Sequence, residues 1–387
     1  MEERNNLTNN NIDKNKKNLN IIDKTHSKEN KRNYGIDLLK IFSVINIIII
    51  HINKFSHQLS LNYNNRKYMS IWLLEVMGYW AVNGFGLISG IVGYKKYKFS
   101  NLIYIWFLSS FYSIIISSYL YYDNKITLKH LFLSILPILL KRNWYLNAYF
   151  CMYLLLPFIN YGIMNLNRKT YKNIIMFFFL FYSIYHIIGA ILVNERNNFH
   201  FLNDGYSSSW LTILYIVGGY FGKYIFIDEI NITLKNWIFW VLIYFVSSYF
   251  TLKIYVKLKS DLFISYLSPS MILQAISLIM IFSKLNFKRK WITKIISFLS
   301  QFTFNVIFIH LRLFLPDIKI KILFFKWVDE LSPNMIFFKI YGLGILIYAI
   351  CSIIDYFRVL LFSLLKIRQL CIYIENKFVL LFDLVKF

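Results

Sequence analysis

Charge is the first thing this sequence is short of. Only 16% of its 387 residues are Asp, Glu, Lys or Arg, against about 25% in a soluble domain. Acidic groups are the scarcer half, 19 against 43 basic, which gives a net charge of +24. Cysteine is nearly absent. Cys151, Cys351 and Cys371 form no C-x-x-C pair, which excludes a disulfide framework and a cysteine zinc site. No G-x-x-x-x-G-K-[ST] phosphate loop and no H-E-x-x-H metal motif occurs, so nucleotide hydrolysis and zincin chemistry lose their usual signatures. The first apolar run starts near residue 36 behind a long polar lead. That is not the pattern of a cleaved signal peptide, and the first span is expected to be its own insertion signal.

What the chain does have is apolar length. It is 57% hydrophobic and 20% aromatic, and several runs approach the ~20 residues that cross a bilayer. The expected fold is all-α, a polytopic membrane protein with about ten transmembrane helices. These fall near 36–55, 71–94, 100–122, 144–161, 173–193, 208–226, 236–256, 264–283, 295–315 and 334–357. Residues 1–34 read as a disordered basic cytoplasmic tail and 35–357 as the transmembrane domain. Residues 358–387 mix apolar runs with regularly spaced charges and read as an amphipathic interfacial C-terminal helix.

The basic excess sits at the ends of apolar runs and in the tails, which fits anionic headgroups rather than nucleic acid. Lys and Arg divide evenly between the loops of the two sides, so the tails decide orientation. Eight basic residues precede the first span, and Arg358, Lys366, Arg368, Lys377 and Lys386 follow the last. Both termini are expected in the cytoplasm.

A charge at the centre of a span costs on the order of 3 kcal/mol, so polar groups there need partners or a purpose. The stretch Asn33 to His51 holds Asp37, Lys40, Asn46 and His51. Lys40 and His51 are eleven residues apart, which puts them about 20° apart on one helix face and about 16 Å apart along the axis. They cannot touch, but they can line one groove. If Lys40 marks the cytoplasmic entry, His51 sits near mid-bilayer or slightly beyond. Lys40 reads as a snorkelling cation, as half of an i,i+3 pair with Asp37, or as a fixed cation for an anionic ligand such as a phosphate. His51 reads as a packing histidine bonded to a neighbouring helix, or as a general base or acyl carrier. His186 and His310 read as structural, and Glu75, near the start of its span, as facing the loop. Gly84, Gly86 and Gly90 read as close helix packing. Ser89 has no His or Asp at nucleophile-elbow spacing, which argues against a serine hydrolase.

Four stretches, taken in order, resemble the acyltransferase-3 family of multipass membrane O-acyltransferases that modify cell-surface polysaccharides. Lys40 and His51, with ten residues between them, are similar to its opening basic-residue-and-histidine segment. Leu87-Ile88-Ser89-Gly90 is similar to its Phe-x-x-Ser-Gly signature. Asn143-Trp144-Tyr145-Leu146-Asn147-Ala148-Tyr149 through Pro157-Phe158-Ile159-Asn160 is similar to its aromatic and Pro-Phe-x-Asn segment. Phe298 to His310 resembles a late span ending in Ile-His. The resemblance covers residues 33–315. It implies transfer, usually of acetyl from acetyl-CoA, to a hydroxyl of a glycan or its lipid-linked precursor, in the plasma membrane and with no tightly bound cofactor or metal. It further implies His51 as the catalytic residue and Lys40 as the donor-binding one, with Ser89, Trp144, Tyr145 and Asn147 lining the substrate cavity. The family's basic residue is usually Arg. Lys40 keeps the charge and loses the bidentate fork, which implies weaker donor binding, a different donor or reduced activity. A glycan-intermediate transporter or flippase, and a non-catalytic member of the same fold, stay open as alternatives.

Overall fold

The computed structural model describes residues 32–55, 66–138, 143–193, 201–226, 234–258, 261–313, 323, 326–327 and 330–384. The expected tail thus lies outside the described residues up to position 31, as do the loop at 56–65 and most of 314–329. Regular structure among the described residues is entirely helical. In order it comprises α1 Tyr34–Phe55, α2 Arg66–Gly78, α3 Ala81–Gly93, α4 Phe99–Tyr122, α5 Leu128–Leu133, α6 Trp144–Asn165, α7 Arg168–Phe179 and α8 Tyr185–Val193. There follow α9 Ser208–Tyr220, α10 Leu234–Leu258, α11 Pro269–Phe282, α12 Lys290–Ser300, α13 Thr303–Leu313, α14 Pro333–Leu364 and α15 Ile367–Leu384.

Among the described residues, seven stretches are long and apolar enough to cross a bilayer: Tyr34–Lys54, Tyr68–Gly93, Phe99–Tyr122, Trp144–Asn165, Arg168–Gly189, Lys235–Lys257 and Pro333–Leu364. The pair Lys290–Ser300 and Thr303–Leu311, bent by 47°, adds an eighth if it is one broken span. The other two expected spans are shorter apolar helices, α9 with its π turn Phe221–Ile225 and α11. Neither stands alone in lipid: α9 packs on α3 and α6, and α11 on α1, α3 and α10.

Helices dominate because a bilayer offers backbone groups no water. Hydroxyls obey the same rule by bonding one turn back. Ser43 donates to Leu39 O at 2.8 Å, Ser248 to Tyr244 O at 2.8 Å and Ser352 to Tyr348 O at 2.8 Å. This lets these serines sit inside apolar spans with their hydroxyls satisfied, whereas Ser113 Oγ on α4 is buried with no partner among the described residues.

α1 is central, packing against α2, α3, α11, α12, α13 and α14. Contacts define its two ends. At the near end, where α1 begins, Asn33 Nδ2 donates to Ser283 O at 2.9 Å. At the far end its last turns meet α13. α3 and α9 lock together through glycines. A Cβ on Gly90 would lie 2.0 Å from Tyr215 O, and one on Gly218 2.0 Å from Leu87 O. The expected small-residue packing is therefore a backbone-to-backbone approach of these two helices.

The last span is longer than expected. α14 runs through Leu364, so Arg358 lies inside it rather than in a tail. The reason is internal neutralisation. Arg358 Nε and Nη2 bond Asp355 at 2.7 and 3.0 Å, and Nη1 bonds the Tyr104 hydroxyl at 2.9 Å. Asn305 Nδ2 donates to Asp355 Oδ2 at 2.8 Å, and the Tyr112 hydroxyl donates to its other oxygen. Lys366, at φ +53°, separates α14 from α15. α15 then docks on α4, with Glu375 Oε1 accepting from Phe99 N at 2.7 Å.

Candidate active site

A cavity of about 460 Å3 opens at the far end of α1. Helix α1 gives it Ile47, Ile50, His51 and Lys54; α2 gives Trp72 and Glu75; α6 gives Trp144 and Tyr145; α13 gives Ile307 and Leu311. Tyr79, Val82, Asn143, Tyr206, Ile264 and Tyr266 complete the lining. His51 lies three residues from the end of the span Tyr34–Lys54, about 26 Å beyond Tyr34 at 1.5 Å per residue. It therefore lies near the far end of that helix. Lys40 is not the start of the helix, which begins six residues sooner at Tyr34.

His51 is paired. Its Nδ1 lies 2.9 Å from His310 Nε2, and the rings stack with centroids 5.2 Å apart. His310 is fully buried, and its Nδ1 lies 2.7 Å from Val306 O. Partner chemistry fixes the protons when both rings are neutral. A carbonyl only accepts, so His310 Nδ1 carries hydrogen and its Nε2 accepts. His51 Nδ1 must then be the donor, and the basic lone pair of His51 lies on Nε2. A histidine expected to be structural thus sets the tautomer of the candidate base.

The opposite wall is aromatic. Trp144 meets Tyr206 edge-on at 4.7 Å and stacks near Tyr266 at 6.1 Å; Tyr79 stacks on Tyr266 at 4.7 Å. The Tyr79 and Tyr206 hydroxyls are 3.0 Å apart. Asn143 places this wall. It is the N-cap of α6, its side chain accepting from Leu146 N at 3.2 Å, so the helix begins where Trp144 and Tyr145 can face the cavity. Asn83 bridges behind, donating to Tyr266 O at 2.8 Å and accepting from Trp210 Nε1 at 3.0 Å.

Three of the six residues singled out by sequence share this cavity: His51, Trp144 and Tyr145. Lys40, Ser89 and Asn147 do not line it. The ammonium of Lys40 bonds Asp37 Oδ1 at 2.9 Å, while Arg32 Nε takes Oδ2 at 2.5 Å. This cluster belongs to the near end, about 16 Å along the helix from His51. Ser89 Oγ donates to Phe85 O at 2.9 Å and interacts with Tyr149. Asn147 Oδ1 is buried with no hydrogen-bond partner among the described residues. Between cavity and near end runs a tyrosine column on α6. Tyr145 and Tyr149 are 6.2 Å apart, as are Tyr149 and Tyr153, and the Tyr153 hydroxyl donates to Lys98 O at 3.2 Å.

Sequence reading missed Glu75 as a cavity residue and His310 as a partner. Glu75 is buried, and its Oε2 accepts from Asn53 Nδ2 at 3.1 Å. The available signal was the carboxylate itself, because an ionisable group within a span points to function.

The family model described as an acyltransferase domain matches residues 33–355. No curated protein matches the chain, and no solved structure matches it.

Proposed function

The chain belongs to the acyltransferase-3 family and is a membrane acyltransferase; on that premise we propose that it moves an acyl group, acetyl first among them, from acyl-CoA to a hydroxyl of a cell-surface glycan or its lipid-linked precursor. The observation that carries this reading is His51, bonded to the buried His310, in the lining of a cavity. His51 Nε2 takes the proton of the acceptor hydroxyl as its oxygen attacks the thioester carbonyl carbon. The C–S bond breaks, and the imidazolium returns the proton to the departing thiolate. His310 holds the ring in the required tautomer and shares the charge that His51 gains, as the carboxylate does in a serine-protease triad. His310 does so as a neutral group and so stabilises the cation less.

The basic tails favour a cytoplasmic near end in the plasma membrane, which assigns the acceptor cavity to the opposite face. The donor then enters at the near end, where Arg32 and Lys40 flank Asp37 and leave one net positive charge for CoA phosphates. Its thioester reaches His51 past Ser89 and the tyrosine column. Asn147, with its unpartnered buried oxygen, stands on the same helix.

The test is transfer of labelled acetyl from acetyl-CoA to the membrane or wall glycan fraction, with His51→Ala compared at matched membrane abundance. Loss of label at normal abundance supports catalysis at His51. Equal label in both forms makes His51 structural and sinks the mechanism.

A further inference from the structure

We infer that Glu75 is the acceptor-anchoring residue, holding a hydroxyl adjacent to the one that is acylated, so that this site selects a polyol over a lone alcohol. This rests on the acyltransferase reading above. α1 supplies both halves of the arrangement. His51 faces the cavity, and two residues later Asn53 fixes the Glu75 carboxylate through its side-chain amide. Base and carboxylate are thereby tied to the same turns of one helix, and their separation does not depend on a loop. The two oxygens of a carboxyl group offer several acceptor positions. Asn53 occupies one, and the residue lines the cavity with the remainder.

The chemistry of the wall points the same way. Tyr79 follows Glu75 by one turn, with Tyr79 N bonded to Glu75 O at 3.0 Å, and it stacks on Tyr266 beside Trp144. Flat aromatic faces beside a carboxylate suit a ligand with apolar C–H faces and hydroxyls at its rim. A carboxyl oxygen accepts a hydrogen bond from a ligand hydroxyl. The Glu75 wall therefore suits the hydroxyl-rich acceptor. Glu75 moves no proton in this scheme; it fixes which hydroxyl is presented to His51 Nε2.

The experiment compares wild type with Glu75→Gln at matched membrane abundance. Label from acetyl-CoA is followed into propan-1-ol and glycerol, and each alcohol is also tested as a competitor of transfer to the membrane glycan fraction. The readout is the glycerol-to-propanol ratio of kcat/KM, or of competition strength, which a uniform loss of folded enzyme does not move. Wild type is expected to favour glycerol, and Glu75→Gln, which keeps shape and can still accept from Asn53, to lose about tenfold of that preference. An unchanged ratio in Glu75→Gln reduces Glu75 to a tie between α1 and α2 and overturns the inference. So does a wild type that neither acylates glycerol nor is competed by it. Absence of label transfer to every acceptor in wild type overturns the acyltransferase reading itself, a distinct failure.

Discussion

His51 Nδ1 and His310 Nε2 are 2.9 Å apart although 259 residues separate them in the chain. The contact does chemical work because His310 is itself anchored to Val306 O. Anchoring the second ring decides which nitrogen of the first carries the proton.

His310→Ala is accordingly expected to lower kcat by about 10²-fold, the lower end of what a positioned base contributes, with little change in KM for acetyl-CoA. His310→Gln should recover part of the loss, since its side-chain oxygen can accept from His51 Nδ1–H. Steady-state label transfer at matched abundance checks both. Equal rates for the Ala and Gln variants would remove the tautomer argument.

The Asp355–Arg358 pair makes a prediction about stability. Both side chains are buried, and removing one partner strands a charge at a cost of about 3–5 kcal/mol. Asp355→Ala and Arg358→Met should each reduce folded yield sharply, while the double variant loses less than the sum. A double-mutant cycle on denaturation in detergent measures the coupling.

Glycine substitutions should separate contact from propensity. Gly90→Ala and Gly218→Ala each drive a methyl into a backbone carbonyl, and α3 and α9 must part. Gly162 on α6 has nothing within 4 Å of a built Cβ, so Gly162→Ala should be neutral or more stable by about 0.5–1 kcal/mol. Size-exclusion profiles after graded heating rank the three.

The docking of α15 on α4 should be sensitive to acid. Partial burial pushes the Glu375 carboxyl up. Bonds from the Ser100 side chain and backbone and from Phe99 N–H, with Lys98 nearby, outweigh it and leave the carboxyl below its ordinary value. A carboxylate with a lowered folded pKa stabilises above its unfolded pKa, and that contribution is lost as pH falls through the folded value. Protection of the Phe99 amide against hydrogen exchange should therefore drop at acid pH below the usual glutamate range. Glu375→Gln should show weak protection at every pH.

How much of this was legible in the sequence follows from the range of each interaction. Apolar length is a local property, so each of the ten expected segments contains helix among the described residues, and the three that fall short as simple spans are the bent α12–α13 pair and the two helices shielded by neighbours. Polar groups inside spans were visible for the same reason, and His51, Trp144 and Tyr145 do share a cavity. Pairings across the bundle were not visible. Nothing near His310 in sequence points to His51, and nothing near Glu75 says whether it faces a loop or a cavity. Arg358 is only three residues from Asp355, a spacing that permits a pair, but a basic residue at the end of an apolar run reads equally as a terminus signal. Lys223, inside the expected 208–226 span, is absorbed differently. Its ammonium caps the end of α6, bonding the carbonyls of Ile163, Met164 and Leu166 at 2.9, 2.7 and 2.8 Å.

The separation of the two histidines also has a consequence in time. Helix α1 leaves the ribosome before α13, carrying His51 without its partner. The fixed tautomer exists only after α13 has been synthesised and has packed beside α1. A chain that stalls or is truncated before His310 can still insert its early helices, but it lacks the oriented base. Under the proposed function, a chain shortened before His310 is therefore expected to transfer acyl groups more slowly than one that contains it.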